Sequence, residues 1–86
     1  MTINSKNIKT YKRIYQDPVQ SNIDWKDIEA LFEALGAEIS EGAGSRVRVK
    51  LNGERAVFHR PHPESTTDKG AVKAVRRFLK NAEVKL

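Results

Sequence analysis

Apolar residues recur at helical spacing in three segments of the chain, and each recurrence predicts a helix. The segments are residues 5–18, "SKNIKTYKRIYQDP", residues 22–39, "NIDWKDIEALFEALGAEI", and residues 69–82, "KGAVKAVRRFLKNA". The recurring apolar residues are Ile8, Tyr11, Ile14 and Tyr15 in the first segment, Trp25, Ile28, Leu31, Phe32 and Leu35 in the second, and Ala71, Val72, Val75, Phe78, Leu79 and Ala82 in the third.

The residues that flank these segments predict where each helix begins and ends. Pro18 stops the first pattern because proline cannot continue a helix. Asp24 precedes the apolar stripe of the second segment, Asp68 precedes the third segment, and both are suited to capping a helix N-terminus. Gly36 follows the apolar stripe of the second segment, where glycine accepts the left-handed conformation that commonly ends a helix. Trp25 belongs to an apolar stripe, so we interpret it as a packing residue and not as a base-stacking one.

The middle of the chain predicts three antiparallel strands. Residues 46–51, "RVRVKL", alternate strictly between polar and apolar, and "ERAVFH" follows at 54–59. Asn52-Gly53 between them favours a two-residue type I′ turn, and "AEISE" at 37–41 can pair as a third strand. The turn fixes the cross-strand pairs as Leu51–Glu54, Lys50–Arg55, Val49–Ala56, Arg48–Val57, Val47–Phe58 and Arg46–His59.

This register sorts the hairpin into an apolar face and a basic face. The side chains that turn toward the helices are Val47, Val49, Leu51, Ala56 and Phe58, and those on the other face are Arg46, Arg48, Lys50, Arg55 and His59. The predicted fold class is therefore α+β, with helices packed on one face of a three-stranded antiparallel sheet. Residues 1–22 form an N-terminal extension with one extra helix, and residues 23–86 form an α-β-β-β-α domain.

Composition excludes several classes of protein. Eighty-six residues suffice for one small domain, and the absence of cysteine excludes disulfides and thiolate zinc sites. Because the chain has only two histidines, a metal site is not expected, and we expect no other cofactor. The chain holds neither the ~20 consecutive apolar residues of a membrane span nor the apolar middle of a signal peptide at its start. We expect a cytoplasmic protein that does not bind membranes.

Charge is distributed unevenly between the two halves. Residues 1–45 carry five Lys or Arg and seven Asp or Glu, whereas residues 46–86 carry eleven and four. A strongly basic half favours an anionic partner, and nucleic acid is the most common one. In the third helical segment, Lys69, Lys73, Arg76, Arg77 and Lys80 add an outer basic stripe.

Three short motifs resemble a known family. They are "GSRVRV" at 44–49, "RPHP" at 60–63 and "DKGAVKAVRRFLKNA" at 68–82. In this order and at these separations they resemble the HicA family of bacterial toxins over about residues 23–83. The resemblance implies a fold similar to a double-stranded-RNA-binding domain, cleavage of mRNA, and inactivation by a HicB-type antitoxin. It also implies that the histidine of a G-S-H motif is catalytic.

This sequence departs from the family at that histidine, because Gly44-Ser45 is followed by Arg46. An arginine stays protonated and cannot act as a general base at neutral pH. His59 lies opposite Arg46 in the predicted register, so we expect His59 to replace the missing imidazole and Arg46 to hold the phosphate. His62, in the P-H-P motif, is a supporting catalytic candidate. The expected RNA contacts are Gly44, Ser45, Arg48, Lys50, Arg55, Arg60, Lys69 and Lys73.

Less specific interpretations remain open for each of these features. An alternating basic strand is by default a solvated surface, the basic stripe of a helix is usually its wet face, and His62 between two prolines is more often a loop anchor. The domain could bind RNA without cleaving it, or its sheet face could dock a partner protein. Gly70 could serve packing or could let a phosphate approach the start of the last helix.

Overall fold

The computed structural model describes residues 3–86, which form three α-helices and five β-strands. The helices are α1 (Ser5–Ile14), α2 (Trp25–Ala34) and α3 (Lys69–Asn81). The strands are β1 (Ile23–Asp24), β2 (Glu38–Glu41), β3 (Arg46–Leu51), β4 (Glu54–His59) and β5 (Thr66–Thr67). The predicted α+β class is confirmed, and the arrangement is consistent with a double-stranded-RNA-binding-domain fold.

The helix ends follow local chemistry. The Asp24 side chain accepts a hydrogen bond from the Lys26 backbone N–H at 2.9 Å. Asp68 accepts one from the Ala71 N–H at 2.8 Å, so both predicted N-caps are confirmed. Gly36 has φ +87°, the left-handed conformation expected after α2. Each boundary is set by residues close to it in sequence.

The main sheet has the strand order β2-β3-β4, and both pairings are antiparallel. In the β3–β4 hairpin the register runs from Leu51 opposite Glu54 to Arg46 opposite His59, as predicted. Asn52 and Gly53 both have positive φ, +51° and +84°, which is the geometry of a type I′ turn. The turn therefore fixes which side chains share a face.

Gly53→Ala should destabilise the protein by about 1–2 kcal/mol, the cost of holding an L-residue in the left-handed conformation. The space around Gly53 is open, since an added Cβ would meet no atom within 4 Å, so only the backbone is affected. Urea unfolding measures the change. Glu54→Ala, at the next position, is the control and should shift stability by less than about 0.5 kcal/mol. Equal stability of the two variants would contradict the assigned turn.

A second, two-stranded sheet was not predicted. β1 pairs antiparallel with β5, with Ile23 opposite Thr67 and Asp24 opposite Thr66. The Trp25 N–H also donates to the Ser65 carbonyl oxygen at 2.8 Å. This pairing joins the residues just before α2 to the residues just before α3. It also holds the loop that follows β4 in place.

One apolar core lies between the sheet and the helices. α1, α2 and α3 all contribute to it, and the opposite face of the sheet is exposed, which confirms the helices-on-one-face arrangement. Four of its aromatic rings contact one another, with centroids 5.6–6.4 Å apart. The buried apolar residues are Ile14, Ile23, Trp25, Ile28, Leu31, Phe32, Val47, Val49, Leu51, Phe58, Val72, Val75, Phe78, Leu79 and Ala82.

Arg76 is not part of an outer basic stripe, which corrects the expectation for α3. Its guanidinium donates to the carbonyl oxygens of Ile14 and Gln16 and lies 3.4 Å from a carboxylate oxygen of Asp17. The last carbonyl groups of a helix have no partner within the helix, and they attract cations. Arg76 therefore binds the end of α1 to α3.

Candidate nucleic-acid interface

The exposed face of the β3–β4 hairpin carries a row of basic side chains. We refer to Arg46, Arg48, Lys50, Arg55 and His59 as the cationic face, and all five are exposed. They lie together because side chains alternate along each strand while their neighbours are buried. β2 adds Glu38 opposite Lys50 and Ser40 opposite Arg48 on the same face. The result is a broad, mainly basic surface with one acidic side chain at its border.

Arg46 and His59 are directly opposite each other at the open end of the hairpin. Opposed residues in an antiparallel pair have Cβ atoms about 4.5–5.5 Å apart, so both side chains can contact one small group. An imidazole and a guanidinium placed this way could act together on a phosphodiester. The structure thus brings together the two main catalytic candidates.

The loop between β2 and β3 is tightly folded next to this pair. Gly44 has φ +64°, and the Arg46 N–H donates to the Ala43 carbonyl oxygen at 3.2 Å. At Gly42 an added Cβ would lie 3.0 Å from Cβ of Arg46, so a larger residue there would displace the loop. Gly44 and Ser45 are both exposed, and the loop leads directly into Arg46.

Arg60 lies outside the cationic face, although it directly follows His59. Its Nε and Nη2 donate to the two carboxylate oxygens of Glu29 at 2.8 and 3.1 Å, and its Nη1 donates to the Glu41 carboxylate at 2.6 and 2.8 Å. Trp25 Nε1 donates to the same Glu29 carboxylate. Hydrogen bonds from Arg60 hold the pKa of Glu29 below its usual value, against the opposing effect of burial.

A comparison with protein-family models connects the chain to a known family. The model described as the HicA toxin of bacterial toxin-antitoxin systems matches residues 25–84. The chain belongs to the HicA family. The match begins at the first residue of α2 and includes the whole cationic face, whereas α1 lies before it. No curated protein and no solved structure matched the chain.

Family membership confirms the resemblance carried by the three motifs, and it connects the chain to toxin–antitoxin systems, in which a toxin has an antitoxin partner. The departure after Gly44-Ser45 is located on the cationic face, because Arg46 is the first residue of β3. The matched region contains both histidines of the chain, His59 and His62. A HicA-type reaction in this chain must therefore use one of these two imidazoles, or proceed without one.

The remaining candidates are not among the five residues of the cationic face. His62 is exposed in the loop between β4 and β5. Lys69 and Lys73 are exposed on α3, which packs against the other side of the sheet. Among residues 3–86, no group of three or more histidine, aspartate or glutamate side chains is placed to hold a metal ion. None of the helices in residues 3–86 has the length and apolar run of a membrane span.

Val57 is a feature of this HicA-family surface that sequence reasoning overlooked. It lies opposite Arg48 in the hairpin, and 56% of its surface is exposed. The outward register of β4 already indicated this position, since Val57 alternates with the buried Phe58. A groove on this face is lined by Val57 together with the polar residues Glu38, Ser40, Arg48, Lys50 and Arg55. An apolar side chain among cations offers contact to a ribose or a base.

Proposed function

We propose that this HicA-family protein is a toxin that binds mRNA on the cationic face and cleaves it, thereby inhibiting translation and growth. The observation that carries the proposal is the position of His59 opposite Arg46, within an exposed row of cations. We further propose that a HicB-type antitoxin holds the toxin inactive, and that mRNA in the cytoplasm is the target.

RNA can be cleaved by attack of its own 2′-hydroxyl group on the adjacent phosphorus. A neutral imidazole of His59 would accept the 2′-hydroxyl proton as the new oxygen–phosphorus bond forms. The guanidinium of Arg46 would stabilise the negative charge that develops on the phosphate oxygens. The bond between phosphorus and the 5′-oxygen then breaks, and the leaving oxygen takes up a proton from water, which gives a cyclic phosphate end and a free 5′-hydroxyl end. The imidazolium of His59 afterwards returns its proton to the solvent.

Induced expression in a bacterium tests the function as a whole. We expect growth to stop when the wild-type chain is induced and to continue when the His59→Ala variant is induced at an equal level. Purified protein should cut a labelled mRNA in the absence of ribosomes. Continued growth of cells that contain soluble wild-type protein, with intact mRNA, would contradict the proposal.

A second function is favoured by one observation, the presence of Arg46 where the family motif has histidine. A domain that lost cleavage with that histidine would keep the cationic face and still bind RNA. The two functions differ in a single result, because both predict RNA binding and only the first predicts cleaved RNA. Arg46→His, which restores G-S-H, should then create activity that the wild-type chain lacks.

Replacing Arg48 and Lys50 together with alanine should weaken RNA binding and reduce its dependence on salt. Each lost phosphate contact lowers the slope of log K against log salt by about 0.7 for single-stranded RNA, so the pair should lower it by roughly 1.4. Fluorescence anisotropy at several salt concentrations measures the slope.

The matched control for this pair is Lys69→Ala with Lys73→Ala, which removes the same charge from α3. If RNA lies on the cationic face, the control should change the slope much less. A slope that changes only in the α3 variant would move the RNA site to that helix.

A further inference from the structure

Arg60 is a basic residue of the kind that often contacts RNA, but its surroundings are those of a structural residue. Side chains alternate along a strand, so the residue after the outward-facing His59 turns toward α2. Its side chain is about one-third exposed (34%), and its guanidinium hydrogen bonds both Glu29 on α2 and Glu41 at the end of β2. Its donors are thus directed away from the cationic face.

The backbone of Arg60 makes a second connection at the same point. Its N–H donates to the Ser45 carbonyl oxygen at 2.9 Å, and Ser45 immediately precedes Arg46. One residue therefore joins four parts of the fold: the end of β4, the loop before β3, the end of β2, and α2. His59 and Arg46 are the chain neighbours of the two residues linked by this backbone hydrogen bond.

The pair with Glu29 has the geometry that only arginine provides. Two parallel N–H···O bonds fix the planar guanidinium against the carboxylate, which a lysine could not do. The side chain of Glu29 is largely buried, with 18% of it exposed, and Trp25 holds it from a second side. The anchor point on α2 is therefore itself fixed by the core.

We propose that Arg60 is a positioning residue, which through Glu29 and Glu41 fixes the end of the hairpin where His59 and Arg46 act. This role rests on the proposed cleavage of RNA, and it replaces a direct contact between Arg60 and RNA. Removal of the ion pairs of Arg60 with Glu29 and Glu41 leaves the cationic face in place. The side chains of His59 and Arg46 are then no longer held at a fixed position. A displacement of about 1 Å in a catalytic group costs up to roughly 100-fold in rate.

Two variants with opposite effects on charge provide the test. Arg60→Met removes a positive charge and Glu29→Gln removes a negative charge, yet both break the network. Positioning predicts that each lowers the single-turnover cleavage rate at saturating RNA by roughly 10- to 100-fold. It also predicts little change in RNA affinity, and a double variant no slower than the worse single one. A direct RNA contact predicts instead that Arg60→Met loses affinity and flattens the salt slope, while Glu29→Gln binds more tightly.

Matched controls lie on α2, beside the network. Lys26→Met and Glu33→Gln make the same charge changes on α2, next to Trp25 and Glu29, at positions that make no ion pair with Arg60. Both should cleave at the wild-type rate. Rates are compared at a temperature where thermal unfolding shows every variant folded, because a role in stability alone would leave the saturating rate unchanged there.

Amide hydrogen exchange gives a measurement that does not depend on cleavage. Arg60→Met and Glu29→Gln should speed exchange at the amides of Arg60 and Arg46 and leave the turn at the other end of the hairpin unchanged. If the wild-type chain does not cleave RNA, the proposed function and the catalytic part of this role both fail, while exchange still decides whether the network fixes the hairpin end. Unchanged rates together with unchanged exchange would overturn the proposal.

Discussion

Replacing His59 with alanine is expected to lower the rate of the proposed RNA cleavage by roughly 10²- to 10⁴-fold, which is the contribution of a positioned general base. The side chain is exposed, so its loss should leave the fold intact. RNA affinity should stay close to that of the wild-type chain, since the proposed phosphate contacts are those of Arg46 and Arg48. Single-turnover cleavage of a labelled RNA, measured beside its binding isotherm, separates the two quantities.

His62→Ala is the matched control, because it removes the only other imidazole of the chain. We expect it to reduce cleavage much less than His59→Ala. Arg46→His should keep or increase activity, since it returns an imidazole to the family position. If His59→Ala cleaves as fast as the wild-type chain and His62→Ala does not, the base is His62 and the assignment to His59 is wrong.

Phe32→Ala should reduce the free energy of unfolding by about 3–5 kcal/mol, as expected when a fully buried aromatic side chain is truncated. Phe32 is completely buried, and its ring contacts Phe58 on β4 and Phe78 on α3 at centroid distances of 5.8 and 5.6 Å. Removal of the ring would leave a cavity where α2, the sheet and α3 meet. Small domains have total stabilities of about 5–15 kcal/mol, so the variant should be largely unfolded under mild denaturing conditions.

Val57→Ala is the control for this prediction. Val57 is more than half exposed on the cationic face, and its truncation should change stability by less than about 0.5 kcal/mol. Urea unfolding followed by tryptophan fluorescence reports on both variants, because Trp25 contacts the Phe32 ring edge-on. Equal midpoints for the two variants would show that the core is not centred on Phe32.

The features that could be predicted from the sequence are those decided by neighbouring residues. Asn52 and Gly53 specify their turn by the conformations they tolerate, and the turn then determines that Arg46 lies opposite His59. Asp24 and Asp68 cap helices that begin at the next residue. The hairpin register, with Arg46 opposite His59, follows from this local information.

The features that could not be predicted depend on distant partners. In the sequence Arg60 resembles Arg55, yet one is held by Glu29, 31 residues away, and the other is exposed. Arg76 likewise finds the carbonyl oxygen of Ile14 across 62 residues. Whether a cation is available to RNA depends on which carboxylates and carbonyl groups the fold brings to it, and an alternating pattern holds no such information.

The hydrogen bonds between Arg76 and the end of α1 also bear on where the folded part of this HicA-family protein begins. α1 precedes the matched residues 25–84, yet it places Ile14 in the common core and accepts the guanidinium from α3. A chain trimmed to residues 25–84 would expose the apolar core surface that α1 covers. It would also leave the guanidinium of Arg76 without its partners. The family region is therefore smaller than the packed structure, and we expect residues 25–84 alone to be less stable than the whole chain.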